Sequence, residues 1–432
     1  MSPVDVTGEL AILGGDAVCT VPWPSWPRTD REMVAAVTEV LNSGRWAVSG
    51  NWTGKRPIDM EFADRFAEFT GVRWCLPVDH GSSALLVALT ALGVRPGDEV
   101  IVPGLTWVAC ATAVLRAGAV PRLVDIDRDT LCLDPAAVAA AINHRTTAII
   151  VVHLYSAMAE MDELRRIARA RGIPIIEDAA QAHGARWHDG VAGALGDIGT
   201  FSMQQGKPLT SGEGGAIVTS SPELHARMEC LRGDGRRYMP EPGRRIGLPD
   251  LTEVGGVAGS NMHLSEIQAA VLLAGLRRLP EENAHRSVTA DILDREFGKL
   301  PGYRLIRPYP GNSRRTYYHY VLRFEPETFC GRSADVVSSA VSAELGYWVH
   351  PPYQPLNVHP LYSPQKYVLA EFPGIRDRLA REHDLLPVAT YEAAHSMLFH
   401  HPLLLAPENR MYDVVEAVEK VRRNAHRLPA DS

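Results

Sequence analysis

Between Arg73 and Thr219 short apolar runs alternate with stretches of helical spacing. The runs Trp74–Val78, Glu99–Val102, Pro121–Val124, Ala148–Val152, Ile173–Ile176, Gly199–Met203 and Ala216–Thr219 read as strands. Between the first five lie Ser82–Leu92, Thr106–Ala117, Pro135–Ile142 and Met161–Arg171, each with helical periodicity. Asp134-Pro135 and Ser221-Pro222 place a capping residue before a proline that suits the first helical position. Strand–helix alternation with short connections predicts an α/β sheet, mostly parallel, with helices on both faces. In such sheets ligands collect at the carboxyl ends of the strands. Asp178 and the loop after Trp74–Val78 both fall at such ends.

Outside this block the pattern changes. Residues 1–30 are rich in Pro and Trp and predict an irregular arm, followed by a helix over Arg31–Leu41. Gly44–Gly54 is a Gly/Ser/Trp loop that suits either a surface turn with tucked tryptophans or a pocket wall. Two long helices are predicted at His263–Leu279 and Glu281–Leu300, separated at Pro280. Beyond them Thr316–Phe324 alternates like a half-buried strand and Ala334–Leu345 is helical. Met411, Val414, Val418 and Val421 form the apolar stripe of a terminal amphipathic helix. The expected division is an arm at 1–30, a large α/β domain at 31–285 and a smaller α+β domain at 286–432.

The length of 432 residues suits two to three domains. A net charge of -7 without a Lys/Arg-rich run argues against a nucleic-acid partner. No stretch approaches the apolar length of a membrane span, and the first residues do not form a signal peptide. The six cysteines are scattered without a CxxC pair, which suits reduced core thiols in a cytoplasmic protein and not a zinc site.

The candidate chemistry centres on Ile173–Ala216. An apolar run ends in Glu177 and Asp178, and a lone lysine, Lys207, stands in a Gly/Ser/Thr-rich segment before the next run. An amine held near a fixed carboxylate is the requirement of a pyridoxal 5'-phosphate (PLP) enzyme. There the lysine forms a Schiff base and the aspartate keeps the pyridine nitrogen protonated. Asp79-His80-Gly81-Ser82-Ser83 leads from a strand into a helix, where Ser82 and Ser83 offer hydroxyls and free N–H groups to a phosphate or simply cap the helix. Trp107, in PGLTWVAC, should lie beside that loop. Lys207 is not a P-loop lysine, because Phe201 and Pro208 stand at the diagnostic positions. GxGxxG, GxSxG and HExxH are absent, and His400-His401 lacks metal-ligand spacing to an acid. A buried structural pair or a pocket rim is the expectation there.

Taken together, the order GSSAL, PGLTW, EDAAQAHGA, FSMQQGK, TSGEGG and SNMHLSEIQAA resembles the DegT/DnrJ/EryC1/StrS family of sugar aminotransferases, from about Trp26 to the C-terminus. The resemblance implies a fold type I PLP-dependent transferase, its large domain binding the cofactor, working as a homodimer with sites at the interface. It further implies that Lys207 carries the cofactor and shuttles the proton, that Asp178 pairs with the pyridine nitrogen and that Gln181 lies near the phenolic oxygen. Trp107 would stack on the ring. Ser82, Ser83 and Ser202 would bind the phosphate, joined by Asn261 of the partner subunit. Gln204-Gln205-Gly206 before the lysine, RTYYHYVLRF, HPPYQPLNVHPLY and HHPLLLA resemble the branch that aminates keto-cyclitols (2-deoxy-scyllo-inosose or scyllo-inosose) with L-glutamine in aminoglycoside biosynthesis. AGSNMHL and the His pair also resemble 3-amino-5-hydroxybenzoate synthases. An NDP-4-keto-sugar aminotransferase and a non-catalytic PLP-binding regulator are the remaining alternatives.

Overall fold

The computed structural model describes residues 8–239, 245–372, 374–379 and 385–431. After the arm come helices α1 (Arg31–Ser43) and α2 (Ile58–Thr70). The alternating block then folds as β1 (Trp74–Val78), α3 (Gly81–Ala91), β2 (Glu99–Pro103), α4 (Ala109–Arg116), β3 (Val120–Val124), α5 (Pro135–Ala141), β4 (Thr146–Val152), α6 (Met161–Arg169) and β5 (Ile175–Asp178). A hairpin, β6 (Arg186–Trp187) and β7 (Gly190–Val191), leads to β8 (Ile198–Ser202), β9 (Gly215–Thr219) and α7 (Pro222–Arg232). Both proline-started helices are capped as their sequences require. Asp134 accepts the N–H of Ala136, and Ser221 that of Leu224.

The seven-stranded sheet has the order β1-β9-β8-β5-β4-β2-β3. Its β2–β3, β2–β4, β4–β5 and β5–β8 pairs are parallel, and β9 alone runs against both neighbours. The sheet is therefore mostly parallel, of the fold type I kind. Its strands are nearly all buried, as a sheet covered on both faces demands. The parallel direction puts the ends of β1, β5 and β8 on one edge, with Asp178 and Ser202 as the last residues of their strands.

Two of the sequence boundaries that move have a clear physical reason. Glu177 and Asp178 lie inside β5, not after it, because both carboxylates are buried and partnered there. The two long helices are one, α8 (Glu266–Phe297), running through Pro280. Proline removes one helical bond, but burial of Leu276 and Leu279 on one side and of Ala290 and Leu293 on the other outweighs it. A capping box, Ser265 with Gln268, starts this helix.

After a short ribbon, β10 (Arg236–Tyr238) with β11 (Leu251–Glu253), and α8, the chain builds a four-stranded sheet in the order β12-β13-β15-β14. Its strands are β12 (Tyr303–Leu305), β13 (His319–Phe324), β14 (Val349–His350) and β15 (Ser396–His400). Helices α9 (Ala334–Leu345), α10 (Pro387–Ala394) and α11 (Met411–Arg423) complete this part. The apolar core divides accordingly. Leu279 belongs to the cluster around the large sheet, whereas Ala290, Val341, Phe399 and Val418 belong to a second. The arm is not loose: Leu10 and Cys19 enter the second cluster. The Trp23 indole donates to the Leu345 carbonyl at 2.7 Å. Five of the cysteines are buried thiols, but Cys330 is exposed, in a left-handed turn after a short 3-10 helix. Among the described residues no helix is long and apolar enough to cross a membrane.

Candidate active site

The ends of β1, β5 and β8 open into a cleft of about 490 Å³ that also reaches the four-stranded sheet. Lys207, Asp178, Ser82, Trp107, Gln181 and Ser202 all line it. Lys207 follows β8 in a tight turn, its own N–H bonded to the Gln204 carbonyl at 2.8 Å. Only 9% of the residue is exposed, and its Nζ lies 4.0 Å from the centroid of the Tyr318 ring. Burial pulls the amine down to about 8, against the opposing pull of the Asp178 charge.

Asp178 is fixed by two donors. The Ala180 N–H reaches Oδ1 at 3.0 Å, and the Cys110 thiol reaches Oδ2 at 3.1 Å. Burial, with Asp178 beside it, pushes the Cys110 thiol well up, so it stays protonated and can donate. Gln181 is equally constrained. Its Oε1 accepts the Tyr155 N–H at 2.8 Å, and its Nε2 donates to the Tyr353 hydroxyl at 3.4 Å. Trp107 stands two residues ahead of α4, not inside it, and is 47% exposed. It is thus a wall of the cleft and not a core residue.

A cradle sits at the start of α3. A side-chain carbon on Gly81 would lie 2.7 Å from Ser202 Cβ and 3.1 Å from its Cα, so only glycine lets the helix end approach β8. The N–H groups of that helix end, with the hydroxyls of Ser82 and Ser202 in the same cleft, are donors that could hold a dianionic phosphate. Phosphate donors, a buried amine and a buried carboxylate in one cleft fit the residues expected to hold PLP. Ser83 is buried and is not among the lining residues. Asn261 is exposed and does not line this chain's cleft either.

The sequence pointed to part of a further wall, His400 as a pocket rim and His350 in the HPPYQPLNVHPLY loop, and missed Tyr318 and His319. Tyr318, His319, His350 and His400 line the cleft too, brought there by β13 and the residue before it, β14 and β15. His319 packs at 5.1 Å from both the His350 and His400 rings. Burial holds His319 well below the ordinary imidazole range, and draws His400 down to about 4. This wall is therefore polar but uncharged. The quoted segments TYYHY, HPPY and HH were its signal, but nothing in their spacing brings three separate strands together. His400-His401 proves to be both things expected of it: His400 at the rim, His401 fully buried. Within Gly44–Gly54 Val48 and Arg45 are buried, Arg45 bonded to Glu266, Asp250 and the Val48 and Asn51 carbonyls, while Trp46 is exposed.

Comparison with known proteins agrees with this geometry. The profile of the DegT/DnrJ/EryC1/StrS aminotransferase family matches residues 27–391. The chain is 47% identical to the L-glutamine:2-deoxy-scyllo-inosose aminotransferase of Streptoalloteichus tenebrarius, over 98% of this chain and 99% of that protein. It is 42% identical to the L-glutamine:scyllo-inosose aminotransferase of Streptomyces griseus, over 97% and 99%. Its fold is similar to that of 3-amino-5-hydroxybenzoic acid synthase, with a TM-score of 0.80 at 31% identity, covering 94% of this chain and all of that one.

Proposed function

Because the chain belongs to the DegT/DnrJ/EryC1/StrS aminotransferase family, we propose that it moves the amino group of L-glutamine to a keto-cyclitol of the 2-deoxy-scyllo-inosose or scyllo-inosose type. It is a PLP-dependent aminotransferase. The observation that carries the reading is a buried lysine, drawn down to about 8, in one cleft with a buried carboxylate and a phosphate cradle. Near-full-length likeness to glutamine-dependent inosose aminotransferases supports the choice of substrates.

Bound PLP supplies an electron sink for the electrons released when a bond at the amino-bearing carbon breaks. The residues do the rest. Asp178 holds a negative charge where a ring nitrogen must keep its proton, and its two donors fix the carboxylate plane. Lys207 Nζ removes the α-proton of glutamine in one half-reaction. In the other it delivers a proton to the former carbonyl carbon of the ketone. Ser82, Ser202 and the start of α3 would hold the phosphate, with Ser83 buried in the next turn position, and Trp107 would supply an aromatic face to the ring. The uncharged His319–His350–His400 wall suits a neutral polyhydroxylated acceptor, which needs hydrogen-bonding partners and no ionic one.

The reading includes a homodimer, with Asn261 of the partner subunit completing the phosphate site. Asn261 is exposed and lies away from this chain's own cleft. The loop carrying Trp46 pairs with residues 245–249, and exposed Trp46, Ile246 and Leu248 suit burial against a second copy. The division into an arm at 1–30 and domains at 31–285 and 286–432 is part of the same reading, with α8 spanning the boundary.

The test is the visible spectrum of the purified protein before and after L-glutamine, followed by each ketone. Loss of the lysine-bound cofactor band with glutamine, and its return with the inosose, are expected. Return only with a nucleotide-linked keto sugar, or release of a UV-absorbing aromatic product, would overturn the acceptor assignment.

A further inference from the structure

The two carbonyls just ahead of Lys207 are held by three N–H donors from outside the lysine's own segment. The Gly206 oxygen lies 2.8 Å from His400 Nε2 and 3.0 Å from His401 Nε2. A carbonyl only accepts, so both rings carry their proton on Nε2 and fill its two lone pairs. The Gln205 oxygen accepts the Trp26 indole N–H at 3.0 Å. Trp26 in turn stands edge-on against the His401 ring, with centroids 4.6 Å apart at 85°. The Gly206 N–H is taken by Gln204 Oε1 at 2.8 Å. Gly206 is closely surrounded. A side-chain carbon there would meet Gln204 Oε1 at 3.2 Å, the Tyr318 hydroxyl at 3.4 Å and His400 Nε2 at 3.7 Å.

The donors come from two other parts of the molecule. His400 ends β15, and the His401 N–H bonds the Tyr318 carbonyl at 3.1 Å. Trp26 belongs to the arm. The two histidine bonds are partly buried and the Trp26 bond is exposed. The histidine pair, costlier to leave unmade than its bonds contribute when formed, does most to select one backbone geometry, and Trp26 adds a third anchor.

We propose that His400, His401 and Trp26 are positioning residues for Lys207, clamping the Gln205–Gly206 backbone so that the amine is aimed into the cleft. The proposal rests on the role assigned to Lys207 above. The clamp ties the lysine of the large sheet to the small sheet and to the arm. Its donors are neutral, so it adds no positive charge beside the amine.

The test uses His401→Phe, which keeps the ring packing on Trp26 and removes the N–H, and His401→Gln, which returns an amide donor. Cofactor-free protein is mixed with PLP, and the visible band is followed while borohydride trapping and peptide mapping locate the attachment. For H401F, capture through Lys207 is expected to slow about tenfold and kcat to fall about as much, with KM for glutamine changed less than about twofold. H401Q should recover most of both rates. Equal rates in H401F and wild type would overturn the clamp, as would equal defects in H401F and H401Q. Trapping at another lysine would overturn it together with the Lys207 assignment. Should H401F not fold, Trp26→Phe, which keeps an aromatic ring beside His401 but removes the indole N–H, is read in the same way.

Discussion

The side-chain nitrogen of Lys207 lies 4.0 Å from the centroid of the Tyr318 ring. An aromatic face is the one partner that can stabilise an ammonium without blocking the cleft in front of it. Burial still dominates and draws the amine from 10.5 down to about 8. Below that pH the nitrogen is protonated and cannot attack a carbonyl carbon; above it the free amine accumulates. Capture of PLP by cofactor-free protein should therefore rise with pH through about 8 and then level off. Stopped-flow absorbance across the pH range checks this. A rate that keeps climbing towards the ordinary lysine value of 10.5 would contradict the buried-amine account.

Asp178 acts on the same titration with a known sign. Burial lowers the Lys207 value, and the Asp178 charge raises it. Removing that charge in Asp178→Asn should move the capture midpoint below that of the wild type. The same variant loses the partner of the ring nitrogen, and the glutamine half-reaction should slow by at least about 10²-fold. An unchanged midpoint would mean that the carboxylate does not act on the amine.

Gly81→Ala tests the cradle. The added methyl would lie 2.7 Å from Ser202 Cβ, so α3 or β8 must shift. The Gly81 backbone is not left-handed, so alanine brings no conformational strain of its own. A stability loss of about 1–3 kcal/mol is expected from overpacking. The larger effect should be on the phosphate: PLP retention on dialysis should fall at least about tenfold, equivalent to about 1.4 kcal/mol. Retention equal to wild type would place the phosphate elsewhere.

What the sequence disclosed follows from how local each signal is. The seven strands and the carboxylate–lysine pair were legible because each rests on one continuous segment. Asp178 could be placed at a strand end, since an apolar run must stop where a charge begins. That Glu177 stays inside the strand could not be read, because its partners, His153 and the N–H groups around Gly193, come from distant loops. The break expected at Pro280 failed for a related reason: burial on both sides of the proline outweighs one missing bond. His400 and the loop of His350 could be suspected one by one, but their meeting with Tyr318 and His319 was hidden because three strands far apart in sequence assemble it.

Glu177 provides the control that separates folding from chemistry. It neighbours Asp178 on β5, and alternation along a strand sends the two carboxylates to opposite faces. Glu177 is fully buried and accepts the N–H groups of Gly193 at 2.9 Å and of Leu195 and Gly196 at 2.5 Å. Its Oε2 also lies 2.9 Å from His153 Nε2. His153 Nδ1 accepts the Ala159 N–H at 3.2 Å, so Nε2 carries the proton and donates to Glu177. Glu177→Ala would leave these donors buried without an acceptor, at a cost above about 3 kcal/mol. Thermal inactivation should occur at a clearly lower temperature, while the surviving enzyme keeps a kcat within about twofold of wild type. Asp178→Asn should show the reverse: little change in thermal inactivation and a collapsed half-reaction. If Glu177→Ala instead lost kcat at full stability, the two carboxylates would have to be reassigned, with Glu177 reaching the cleft and not the fold.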